Sequence, residues 1–163
     1  MSSSPLIDAS VFMGMHAQDD VTRLACMSFM ATRFDAGVVF SWEQIGRCDD
    51  IVWSYARDVQ DAYYPFMDAL HSTMSFTRRS YDAADLELAL RDRRLAGLPM
   101  HESLAVAMAS NRNASLVTIS DRLHERRGLP VRRPAGTPAA SFPEPVATLY
   151  ARSLRLRVDG GEL

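Results

Sequence analysis

Apolar and polar positions alternate along the chain in blocks that change period several times. PLIDASVF, residues 5–12, is an apolar run bounded by serines and glycine and reads as a buried strand carrying one acid, Asp8. From Asp19 to Asp35, Val21, Leu24, Ala25, Ser28 and Phe29 recur at helical spacing, with Asp19 and Asp20 suited to the helix N-terminus. Gly37 punctuates, VVFS reads as a second strand, and WEQIGRCDDIVWSYARD returns to the helical period. Val59 to Met74 is helical with Pro65 interrupting it, and SFTRRS is a short strand. Asp82 to Ala96 forms an amphipathic helix with Leu86, Ala89, Leu90 and Arg93 near one stripe, closed by Gly97. Pro99 opens a helix that runs to about Arg112. SLVTIS is then a strand, DRLHERRG a short helical turn, and LPVRR a final edge strand.

Strands alternating with helices across short connections predict an α/β fold, a three-layer α/β/α sandwich around a parallel sheet of four to five strands. This domain spans residues 1–133. Beyond it, RPAGTPAASFPEP reads as a Pro/Ala linker and VATLYARSLRLRV as a basic appendage, together residues 134–163.

Length changes this picture little: 163 residues make one domain with a well-filled core. The 47% apolar and 23% charged content excludes a disordered or fibrous chain. No apolar run approaches the ~20 residues that cross a bilayer, and MSSSPLIDASVF lacks the basic segment of a secretory signal, so a cytoplasmic protein is expected. Cys26 and Cys48 have no ligand spacing and are expected as buried free thiols. Charge is uneven: residues 1–121 carry 10 Arg against 16 acids (−6), and residues 122–163 carry 8 Arg against 4 acids (+4). An acidic body with a basic tail suits metal ions on the body and RNA phosphates near the tail. A solvated tail without a ligand is the plainer alternative.

Ligands of parallel sheets bind outside the carboxyl ends of the strands. Four acids are expected there: Asp8 at the first strand, Glu43 opening the helix after the second, Glu102 in the first turn of the helix from 100, and Asp121 ending SLVTIS. Taken singly, Glu43 and Glu102 suit helix N-termini, worth ~0.3–1 kcal/mol each, and Asp121 suits an N-cap. Asp8 is harder to explain by packing, because a charge within an apolar strand is costly unless paired or metal-bound. Four converging carboxylates repel one another unless divalent cations join them; Mg²⁺ or Mn²⁺ suits oxygen ligands and can activate water.

LIDASVF, FSWEQI, LPMHESLAVAMA and LVTISD, in that order and spacing, resemble the PIN domain family over about residues 5–133. The resemblance implies an α/β/α sandwich. It also implies a Mg²⁺- or Mn²⁺-dependent ribonuclease, the class that includes toxins of type II toxin–antitoxin pairs. Asp8, Glu43, Glu102 and Asp121 take the four acidic metal positions, with Ser10 and Thr118 near the accompanying hydroxyl positions. Two places depart from the family pattern. The third acid is Glu102, preceded by His101, where Asp is usual; the added methylene moves the carboxylate by ~1.5 Å. The last motif is Thr118-Ile-Ser-Asp121, one residue longer than Thr-x-Asp, so Ser120 is an alternative hydroxyl.

Two functions follow as expectations. One is a metal-dependent nuclease acting on RNA. The other is a catalytically inactive PIN-like protein that binds a protein or RNA through its aromatic surface and tail. Trp42, Trp53, Tyr55, Tyr63, Tyr64 and Phe66 mark a candidate dimer or antitoxin face by the resemblance, or a packed core. His16, His101 and His124 fall near the expected site edge, as ligands or as ordinary surface groups. A Walker A loop, GxGxxG and a nucleophile elbow are all absent from the sequence, which leaves nucleotide-cofactor and serine-hydrolase readings without support.

Overall fold

The computed structural model describes residues 3–163. Five strands, β1 (Leu6–Ile7), β2 (Val38–Ser41), β3 (Phe76–Arg79), β4 (Leu116–Val117) and β5 (Val131–Arg132), form one sheet in the order β3-β2-β1-β4-β5. Every pairing is parallel, so the expected α/β class and the helix-covered parallel sheet are observed.

Strand periodicity explains the three layers. Side chains alternate between faces, and the register sets Leu6 beside Val39 and Leu116, and Ile7 beside Phe40 and Val117. Leu6, Val39 and Leu116 enter one apolar cluster, with Leu95, Val106, Met108 and Leu123. Ile7, Phe40 and Val117 enter the other, with Phe12, Phe29, Val52, Tyr63 and Phe66. The first layer is built by α5 (Ala83–Arg91), α6 (Met100–Asn111) and α7 (Asp121–His124). The second is built by α1 (Ala9–Gly14), α2 (Asp20–Thr32), α3 (Trp42–Trp53), α4 (Arg57–Thr73) and α8 (Val146–Ser153). Helix α6 is alanine-rich and buried almost all round, which lets it lie close to the sheet.

Several local expectations are corrected. The first strand is only Leu6–Ile7; Asp8 turns the chain and N-caps α1. Helix α2 buries Cys26, Phe29 and Met30, leaving Val21 and Leu24 exposed. Helix α4 runs through Pro65 because seventeen residues of amphipathic packing offset one missing hydrogen bond. Helix α5 ends at Arg91, where Asp92 caps a 3-10 turn over Arg93–Leu95; its buried positions are Asp85 and Ala89, while Leu86 and Leu90 face outward. Trp42 and Trp53 are exposed rather than core.

The largest revision concerns residues 134–163. Phe142, Val146, Leu156 and Val158 are fully integrated into the second-layer cluster, and α8 packs against α4. The Tyr150 hydroxyl donates to the Met15 carbonyl at 2.7 Å, and Val158 forms a parallel bridge with Ala17. The segment expected as an appendage completes the core. No helix among the described residues is long and apolar enough to cross a membrane, and both cysteines are free and buried.

Candidate functional site

The carboxyl ends of β2, β1 and β4 meet the N-termini of α3, α1 and α6. After Ile7 the backbone stays extended at Asp8 (φ −107°, ψ 178°), and the Asp8 carboxylate accepts from the Val11 N–H at 3.3 Å. Ser41 caps α3 by accepting from the Gln44 N–H at 3.1 Å. Pro99 starts α6, placing His101 and Glu102 in its first turn. Thr118 and Ser120 follow β4 directly.

These groups form a continuous hydrogen-bond network. The Ser10 hydroxyl donates to Asp8 Oδ1 at 2.5 Å, while Ser10 Oγ accepts from the Ile119 N–H at 3.1 Å. Thr118 Oγ1 lies 3.3 Å from Ser10 Oγ and also bonds the Asp8 carboxylate. Thr118 Oγ1 in turn accepts from the Ser120 N–H at 3.1 Å. Ser120 Oγ donates to Glu102 Oε1 at 2.8 Å. Arg122 donates to both Glu102 oxygens, from Nη2 at 2.8 Å and from Nε at 3.2 Å. Gln44, only 2% exposed, links the other side: its Oε1 accepts from the Ala9 N–H at 2.8 Å and its Nε2 donates to the His101 carbonyl at 3.2 Å.

Electrostatics divides the two buried acids. Burial pushes the Asp8 carboxyl up, against bonds from Ser10, Thr118 and Val11 that pull it down; nearby Glu102 adds to the rise. Burial also acts upward on Glu102, but Arg122 and Ser120 outweigh it and hold Glu102 below the usual range. Burial and the Arg47 charge hold His101 down.

The expected four-carboxylate centre is not assembled. Asp8 and Glu102 reach the network, with Ser10, Thr118 and Ser120. Glu43 is exposed, one residue before the buried Gln44. Asp121 is 79% exposed and paired with Arg133 at 2.7 Å. Among the described residues no three His, Cys, Asp or Glu side chains come together in a way that could hold an ion. Two carboxylates reach the cluster, and because Arg122 already holds Glu102, Asp8 alone is left as a free acid for Mg²⁺ or Mn²⁺. The residues present do not fit that cofactor. His16 lies in the core, bonded to Ser153 Oγ at 2.8 Å, and His124 bonds the Thr118 carbonyl through Nε2, also at 2.8 Å.

Gln44 and Arg122 are the participants that sequence reasoning missed. The signal for Gln44 was present: Ser41-Trp-Glu-Gln44 has the spacing of a capping box, which sets Gln44 three residues after the cap and turns Glu43 outward. Arg122 carried no comparable signal, because its partner Glu102 lies twenty residues away in sequence.

The segment after α8 covers the network. Tyr55 donates to Glu162 Oε2 at 2.6 Å, with the Arg157 carbonyl 3.2 Å from the same hydroxyl, and Glu162 and Leu163 sit over Asp8, Ser10 and Gln44. The space left there is about 10 Å³, room for one water at most. Of the basic tail, Arg122, Arg133 and Arg155 pair with Glu102, Asp121 and Asp58. Arg126 donates to the Arg94 and Ala96 carbonyls, and Arg132 lies over Phe29.

A family model described as "Family of unknown function (DUF6190)" matches residues 1–163, and the chain belongs to that family. No curated protein matches it.

Proposed function

We propose that this DUF6190 protein is a PIN-like protein whose acidic site has been replaced by a closed, largely neutralised hydrogen-bond network, and that it works by binding a protein partner. The observation that carries the reading is Gln44, buried where a third carboxylate would be needed and bonded to two backbone groups that hold α1 against α6. Arg122 on Glu102 supports it, since it supplies in the fold the positive charge that a metal ion would otherwise bring. The surface offers apolar contact positions: Leu86 and Leu90 form an outward stripe on α5, flanked by Glu87 and Arg91. Glu87 and Arg91 pair with each other within the chain at 2.7 Å; exchange of that pair between two antiparallel copies of α5 would fit a homodimer, the assembly we assign.

The test is calorimetric titration of Mn²⁺ and Mg²⁺ into the wild type and Asp8→Asn. The expected result is no saturable binding by either protein at millimolar metal. The second reading, a metal-dependent ribonuclease, is favoured by one observation: Asp8, Ser10, Thr118 and Glu102 do share a cluster. Saturable binding by the wild type that disappears in Asp8→Asn would establish that reading over ours and direct attention to RNA substrates.

A further inference from the structure

A second cavity, about 200 Å³, opens between α3 and α4 on the β2–β3 side of the sheet. Its walls are Phe12, Phe40, Trp42 and Tyr63; its polar groups are His71, Arg78 and the Asp49 carboxylate, which accepts from the Tyr64 hydroxyl at 3.3 Å. None of these belongs to the Asp8 network. A cavity of about 150 Å³ accepts benzene, so this one holds an aromatic ring with a substituent. Trp42 is 54% exposed at the rim, an unusual setting for a large apolar ring in a packed fold.

Arg78 gives the cavity its chemical preference. Its guanidinium carbon lies 5.9 Å over the Trp42 ring and 5.4 Å over the Phe76 ring. One guanidinium nitrogen, Nη2, donates to His71 Nδ1 at 2.9 Å and to the His71 carbonyl at 2.8 Å. No carboxylate lies within ion-pair distance of Arg78 among the described residues. Because arginine only donates, His71 Nδ1 accepts and the neutral ring carries its proton on Nε2. The ring stays neutral near pH 7, since burial, aided by the Arg78 charge, pushes His71 down to about 4. It stacks on Phe76 with ring centroids 4.7 Å apart, which fixes its plane.

A guanidinium without an ion-pair partner, at one part of an aromatic-walled cavity, complements a flat ring bearing a single carboxylate. The ring removes apolar wall from water, and the carboxylate takes the Arg78 donors that His71 leaves free. Beside Arg78 a cationic group is repelled, and a purely apolar ligand leaves the guanidinium without a partner, while Asp49 disfavours a second acidic group on the ring. We propose that the cavity between α3 and α4 is a binding site for small planar aromatic carboxylates, with Arg78 holding the carboxylate and Trp42 covering the ring.

The experiment uses the full chain, with benzoate and indole-3-carboxylate as probes and benzamide as the neutral isostere, followed by calorimetry. Trp42 emission in a Trp53→Phe background reports where the ligand sits. Expected are saturable binding of a carboxylate probe, a shift in Trp42 emission with the same midpoint, and at least tenfold weaker binding of benzamide. Arg78→Gln weakens benzoate at least tenfold, and Arg78→Lys, which keeps the charge but not the fork, falls between. Absence of saturable binding, equal affinity for benzoate and benzamide, or binding that leaves Trp42 emission unchanged would each overturn the proposal. Should Arg78→Gln fail to fold, the benzoate–benzamide comparison on the wild type still decides.

Discussion

Gln44→Glu replaces one side-chain atom at the centre of the network and tests what holds it together. The introduced carboxylate still accepts from the Ala9 N–H but cannot donate to the His101 carbonyl, now 3.2 Å from the Gln44 amide nitrogen. Orphaning a buried acceptor costs about 1–3 kcal/mol, and repulsion from Asp8 and Glu102 adds to it. We expect a loss of about 3 kcal/mol at pH 7. For a chain of this size each kcal/mol moves Tm by about 2–4 °C, so the midpoint falls by about 6–12 °C. The introduced group is favoured in its protonated form in the fold, and that form can donate again. The folded state then binds more protons than the unfolded chain, so the deficit shrinks as pH falls toward 5. The substitution also supplies the missing third carboxylate. Mn²⁺ at a hundredfold excess over its Kd would return about 2.7 kcal/mol. Urea unfolding of wild type and variant, at two pH values and with and without Mn²⁺, reads all of this. The reasoning is refuted if the variant is as stable as the wild type at pH 7, or if Mn²⁺ stabilises the wild type as much as the variant.

Other expectations concern the core, the tail and assembly. Burial, with Arg157 and Arg23 acting the same way, pushes His16 down to about 3, against 6.5 for the free side chain. The unfolded chain therefore takes up a proton first. The stability linked to neutral His16 is complete above pH 6.5 and is lost as pH falls from there toward 3, by about 2 kcal/mol at pH 5. Urea unfolding at pH 7 and 5 should show His16→Gln losing less than the wild type; equal losses would contradict the burial argument. Gly136→Ala drives a methyl group into the Ser28 and Phe29 backbone and should destabilise by about 1–3 kcal/mol, whereas a loosely attached tail would tolerate it. Leu86→Asp with Leu90→Asp should convert the dimer to a monomer in sedimentation equilibrium with the far-UV circular dichroism of the fold retained, because both leucines are exposed within the single chain; a wild type already monomeric at high concentration removes the dimer from the proposal.

Most of the architecture was legible because strand and helix periods differ and the connections are short. LIDASVF, VVFS and SLVTIS each signalled a central strand, although two of the three strands are only two residues long. What the pattern missed depended on phase or on distant partners. Val21 and Leu24 share a helical spacing with Phe29, yet the sheet selects the face containing Cys26, Phe29 and Met30. The Pro/Ala composition of residues 134–145 suggested a linker, but Phe142, Val146, Leu156 and Val158 find their partners on α1, α2 and α4. At the site, Asp8 and Glu102 were readable as acids near strand ends. Helical phase decided between Glu43 and Gln44, and the Arg122–Glu102 pair is a product of tertiary folding alone.

The position of Val158 beside Ala17 has a consequence for how the protein is made. The first strand synthesised is the middle strand of the sheet, and the layer above it is finished by residues more than 130 positions later. While the chain is still emerging from the ribosome, His16 and Phe66 lack the cover that Phe142, Tyr150 and Ser153 later provide. Contacts of such long sequence separation form slowly and leave apolar surface open in the meantime. Final closure must therefore follow release of residues 142–158, and a message truncated before them yields a chain marked for chaperones and proteases.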